Sequence, residues 1–198
     1  MASVTPIARG RKRRGSGSRD ETTAWIGMVL FLGSWAMLFA GLFLAYGLVR
    51  AHAPEWPALD QPRLPLLVPG LNTLVMLASS AALVQALRAL ALGRPSAPTW
   101  LAGATALGVV FLAVQLAVWA RLWDQGLVPS GGPFPSVFYG LTVVHAAHVL
   151  VGVAALAWLT RRAVVDAAAA RLPVRLWGMY WHFVGAVWLV LYGGVYVA

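Results

Sequence analysis

Five apolar runs of about twenty residues constrain this chain more than any other feature, because that length matches the hydrocarbon core of a bilayer. They extend over Thr23 to Val49, Leu64 to Leu90, Trp100 to Leu122, Val137 to Thr160 and Leu176 to Val197. Inside lipid every backbone N–H and C=O must find its partner within the protein, so each run is expected to be a helix. The fold class that follows is all-α, an integral membrane bundle of five transmembrane helices. Pro65 and Pro69 fall in the first turns of the second run, where a missing N–H costs least. The first run is too long for a cleaved signal peptide and is expected to stay as an anchor.

Charge gives the expected topology. Only 11% of the 198 residues are charged, against roughly 25% in soluble domains, and the acids number six against fifteen arginines and lysines. With the N-terminus inside, Arg9, Arg11, Lys12, Arg13, Arg14, Arg19, Arg88, Arg94, Arg161, Arg162, Arg171 and Arg175 fall on the cytoplasmic side. Only Arg50, Arg63 and Arg121 fall outside. That asymmetry is the positive-inside pattern and puts the C-terminus outside. The basic stretch ARGRKRRGSGSR is therefore read as a topology signal near anionic lipid rather than a nucleic-acid site. Residues 1–21 are expected to form a disordered basic cytoplasmic tail, and residues 22–198 the membrane domain. In the last inner segment, RRAVVDAAAARLPVR, the alanines should prolong the fourth helix slightly before Pro173 stops it.

The spans leave little room for chemistry. Asp20, Glu21, Glu55, Asp60, Asp124 and Asp166 all lie in the tail or in loops, so no span holds a carboxylate to accept a coupled proton or to support a metal-bound imidazole. Cysteine is absent, which removes thiolate ligands and thiol chemistry from this chain. His145 and His148 stand one turn apart on one face of the fourth run, and His182 lies in the fifth. Without further ligands these imidazoles are read as neutral groups hydrogen-bonded to neighbouring helices. Asn72 and Gln115 join them as structural interhelical polar contacts worth on the order of 0.6–2 kcal/mol each. Thr73 and Ser80, seven apart, share a face suited to close helix contact. Arg161, Arg162, Arg171 and Arg175 are candidate lipid headgroup contacts at the cytoplasmic surface. No catalytic residue, metal ligand or cofactor-binding residue is expected in this chain.

The motifs, taken in order, resemble the haem-copper oxidase subunit III family, the cytochrome c oxidase subunit 3 family, in its short five-helix bacterial form. The matching segments are LFLGSWAMLFAGLFLAY, EWPALDQP, PGLNTLVMLASS, FLAVQLAVW, LTVVHAAHVLVG and YWHFVGAVW. The resemblance implies a non-catalytic membrane subunit of a cytochrome c oxidase in aerobic respiratory electron transport. Its partners would be oxidase subunits I and II and membrane phospholipids, with haem and copper held in the partner subunits. It also implies a multi-pass protein of the bacterial inner (plasma) membrane that stabilises subunit I and binds lipid. Four family acids are replaced here, by Trp35, Val118, Arg175 and Gly185, which argues against a carboxylate-dependent role. Other readings are a subunit III-like partner of a quinol or nitric oxide enzyme, an oxidase assembly factor, and a small transporter, the last lacking any internal repeat or ionisable substrate site.

Overall fold

A computed structural model describes residues 13–56 and 62–197. The tail up to residue 12, and Asp60 in the first connecting loop, lie outside the described residues. Five helices, α1 (Arg13–His52), α2 (Leu67–Ala91), α3 (Ala97–Asp124), α4 (Pro133–Val165) and α5 (Ala167–Leu191), are followed by a π-helical turn over Tyr192–Val197. No strand occurs among the described residues, and all five helices are long and apolar enough to cross a membrane. At 1.5 Å per residue the 40 residues of α1 reach about 60 Å, so α1 projects beyond a hydrocarbon layer roughly 30 Å thick. Its first turns lie within the segment 1–21 assigned above to the tail.

The helix boundaries follow from local chemistry. Pro62 and Pro65 precede α2, which starts at Leu67 and leaves Pro69 in the first turn where its missing N–H has no intrahelical partner. Asp166, not Pro173, separates the last two helices. Its extended backbone interrupts the helix, and its carboxylate accepts the Ala169 N–H at 2.9 Å, which caps the start of α5. Pro173 then sits inside α5 near its start. The last inner segment is consequently helical on both sides of a one-residue break.

Helices α2 to α5 build the core. Between 33% and 44% of the residues in their most apolar windows are buried, against 6% for α1. Thus α1 lies on the outside of a four-helix bundle, against α4 and α5. Its Leu30, Met37, Leu44 and Leu48 are exposed. Such residues need no protein partner where the solvent is lipid.

Candidate functional site

Two tryptophans of α5, seven residues apart, organise the interior. Trp181 and Trp188 are both fully buried, and at two helical turns of spacing they point the same way. The Trp181 indole N–H donates to Ser79 Oγ on α2 at 3.2 Å, and the Ser79 hydroxyl donates onward to the Ala104 carbonyl of α3 at 2.7 Å. The Trp188 N–H donates to Thr73 Oγ1 on α2 at 2.9 Å, and Thr73 donates to the Pro69 carbonyl at 2.9 Å. Each indole therefore finds its polar partner in a buried hydroxyl that is itself satisfied. Ser80, paired above with Thr73, is only half-buried and the second indole acceptor is Ser79.

Bare backbone on two helices makes room for Trp181. A Cβ added at Gly108 of α3 would lie 2.8 Å from one edge of the Trp181 six-membered ring, and one added at Gly152 of α4 would lie 2.7 Å from a neighbouring edge. No real carbon can sit that close. Trp181 thus touches α2, α3 and α4 together. One layer away, Trp188 meets Phe111 of α3 edge-on at 4.9 Å and lies nearly parallel to the His145 ring of α4 at 5.5 Å. Edge-on and offset geometries of this kind are the favourable ones for aromatic pairs.

The remaining polar contacts sit around this pair. Asn72 Nδ2 donates to the Phe111 carbonyl at 3.1 Å, joining α2 to α3. Gln115 Nε2 donates to the Tyr196 hydroxyl at 3.2 Å, joining α3 to the terminal π turn. The Tyr180 hydroxyl donates to the His148 carbonyl at 3.0 Å, joining α5 to α4, and Tyr192 donates to the Leu66 carbonyl at 3.1 Å.

Among the described residues, none of the three imidazoles makes the interhelical hydrogen bond expected of it. His148 Nδ1 lies 2.7 Å from the Val144 carbonyl one turn earlier on its own helix. A carbonyl can only accept, so the proton is on Nδ1. The ring rests against Trp35 at 4.1 Å and Phe39 at 5.2 Å. Trp35 therefore meets His148 with an aromatic surface. His145 is enclosed by Phe39, Phe111 and Trp188, and neither ring nitrogen has a partner among the described residues. His182 is exposed, because it follows Trp181 by 100° around α5 and so leaves the buried stripe.

Such an arrangement cannot gather a metal. His148 spends one nitrogen on Val144, His182 faces away, and no three His, Cys, Asp or Glu side chains come together among the described residues. Among the described residues the donor set therefore fits neither a tetrahedral nor a haem-type site.

The four arginines proposed as headgroup contacts are all exposed. Arg162 lies over the Trp158 ring, its guanidinium carbon 5.3 Å from the centroid, while Arg175 lines a cavity of about 320 Å³ with Glu21, Thr22, Trp25, Leu172 and Leu176. Tyr180, Tyr196, Gly108 and Gly152 are interior contacts that the sequence reading did not single out.

The family model described as Cytochrome c oxidase subunit III matches residues 19–198. A protein named Cytochrome c oxidase subunit 3 from Synechocystis sp. is 34% identical over 175 residues, covering 86% of this chain and 74% of its own length. One of the same name from Thermostichus vulcanus is 30% identical over 186 residues, covering 87% and 86%. One from Sus scrofa is 34% identical over 181 residues, covering 86% and 67%.

Proposed function

The chain belongs to the cytochrome c oxidase subunit III family, and from that premise we propose that it is a non-catalytic packing subunit of a respiratory oxidase. In this reading it binds subunit I, which with subunit II carries the haem and copper, and it stabilises the assembly in the bacterial plasma membrane. Its N-terminus faces the cytoplasm, following the arginine asymmetry, and Arg161, Arg162, Arg171 and Arg175 meet lipid phosphates on that side.

The observation that carries the reading is how the interior polar groups are used. Thr73, Ser79, Asn72, Gln115, Trp181 and Trp188 hold one helix to another or cap a carbonyl, and among the described residues no carboxylate enters the bundle. A transporter or a proton path needs groups that change partner or charge. Here the two indole relays and the Asn72 amide N–H end on backbone carbonyls, and the Gln115 amide N–H ends on the Tyr196 hydroxyl, while Asn72 Oδ1 and Gln115 Oε1 have no partner among the described residues.

Affinity purification of the tagged chain from membranes of its native host in mild detergent tests the proposal. Haem absorbance and two larger subunits should accompany the chain in fixed ratio. Recovery of the chain alone, with a haem-containing oxidase left intact in the flow-through, would defeat it.

A further inference from the structure

Where α1 ends at His52, α4 enters beside it at Pro133. A cavity of about 860 Å³ opens between the two helix ends, within the range of roughly 300–1,000 Å³ that holds small-molecule ligands. Its lining includes His52, Glu55, Trp56 and Phe134. The two aromatic walls are fixed. Trp56 meets Phe134 edge-on at 5.0 Å and Tyr46 edge-on at 5.6 Å, and both of those neighbours are buried. Trp56 is therefore held by the core although it lies past the end of a helix.

The polar lining of this cavity accepts hydrogen bonds. His52 Nδ1 lies 2.8 Å from the Leu48 carbonyl. A carbonyl only accepts, so the neutral ring carries its proton on Nδ1 and presents Nε2 as an acceptor. Three residues on, the exposed Glu55 carboxylate also accepts and carries negative charge. No lysine or arginine shares the lining, so a phosphate or other anion meets repulsion and no cationic partner. A metal ion would find only one nitrogen and one carboxylate, and no group of three His, Cys, Asp or Glu side chains occurs among the described residues. An organic cation uses the whole lining. Its N–H groups can donate to Glu55 and His52, and an indole face attracts positive charge within about 6 Å of the ring centroid.

The geometry points to a binding site for an alkylammonium group, held by the Glu55 carboxylate and His52 Nε2 with its charge and carbon chain against Trp56 and Phe134. A free small amine and a lysine of a neighbouring chain present the same chemistry. The site rests on the fold and not on the oxidase assignment, so either can fail without the other.

Fluorine NMR of the full chain labelled with fluorotryptophan, in nonionic detergent and phosphate buffer, reads the site directly. The Trp56 signal is identified by its loss in Trp56→Phe. Titration with n-butylammonium should shift that signal and saturate, and 1-butanol, equal in heavy atoms but neutral, should bind at least about fivefold more weakly, since it lacks the charge-assisted bond and the cation–ring attraction. Glu55→Gln, at an exposed position, should keep the unfolding midpoint and lose about fivefold or more in affinity for butylammonium, with butanol unaffected. On wild type alone, added sodium chloride should weaken butylammonium and leave butanol unchanged. A lysine capped at both ends carries the same four-carbon ammonium arm and separates the two sources. Binding as tight as butylammonium assigns the site to a lysine of a neighbouring chain, and weaker binding assigns it to a free amine. No saturable shift with butylammonium, equal affinity for butanol, or an undiminished affinity in Glu55→Gln would each overturn the proposal.

Discussion

Adding one methyl group at Gly152 should destabilise the bundle, although alanine is the better helix former. A Cβ there would lie 2.7 and 2.8 Å from two carbons of the Trp181 six-membered ring, and Gly108 packs on a neighbouring edge of the same ring, where the corresponding distance is 2.8 Å. Close contact with both helices limits how far the indole can shift, and a shift strains its N–H bond to Ser79. Overpacking of this kind costs about 1–3 kcal/mol, and loss of the interhelical bond adds about 0.6–2 kcal/mol. Against these stands the helix-propensity gain of about 0.5–1 kcal/mol. The net expectation is a loss of about 1–4 kcal/mol. Gly140, on the same helix and with nothing within 4 Å of its added Cβ, is the matched control, where only the propensity term operates. Thermal unfolding of the full chain in detergent, followed by tryptophan fluorescence, should place Gly152→Ala below wild type and Gly140→Ala at or above it. Equal midpoints for the two variants would refute the clamped-indole geometry.

Trp188→Phe and Thr73→Val should each destabilise, and a double-mutant cycle should return a coupling of about 0.6–2 kcal/mol, because both remove the same indole–hydroxyl bond. His148→Ala should lower stability by about 1–3 kcal/mol through lost contact with Trp35 and Phe39, whereas His182→Leu, at an exposed position, should leave it unchanged. In assembled oxidase both should keep the wild-type dependence of turnover per haem on pH, and a shifted profile would show that an imidazole titrates in the mechanism. Asp166→Ala should cost about 0.5–2 kcal/mol through loss of the α5 cap, with Asp166→Ser recovering most of it. Reporter fusions at Arg94 and after Ala198 should locate to opposite sides of the membrane; the same side for both would contradict the topology.

The five spans were legible because a bilayer imposes one length and one type of secondary structure on every crossing segment. Their ends were less so. Pro173 is a strong breaker in isolation, yet the break falls at Asp166 because a carboxylate placed to accept the Ala169 N–H begins a new helix seven residues earlier. Thr73 was identifiable as a face-sharing hydroxyl, but the choice between Ser79 and Ser80 depends on where an indole from α5 reaches across, which spacing along α2 alone does not reveal. The histidines show the same limit. Residue type suggested bonds between helices, while the structure gives His145 an aromatic enclosure, His148 a carbonyl on its own helix and His182 an exposed position. Gly108 and Gly152 carried no local signal, since a glycine in a membrane helix acquires meaning only from the ring that packs on it. Asn72, Gln115 and Thr73 were legible as buried polar groups and do bond across the core, and the seven-residue spacing of Trp181 and Trp188 in YWHFVGAVW also stands in the sequence.

That this subunit serves its complex by packing and not by chemistry is tested most directly by comparing membranes from cells that lack the chain with cells in which it is restored. Two quantities are needed from each, the amount of assembled oxidase by haem difference spectrum and the initial turnover per haem. The account predicts that loss of the chain lowers the amount of oxidase and shortens its lifetime at elevated temperature, while initial turnover per haem and its pH dependence stay at the restored value. An unchanged amount of oxidase with turnover per haem reduced or shifted in pH would contradict it, and would place a working group inside the bundle.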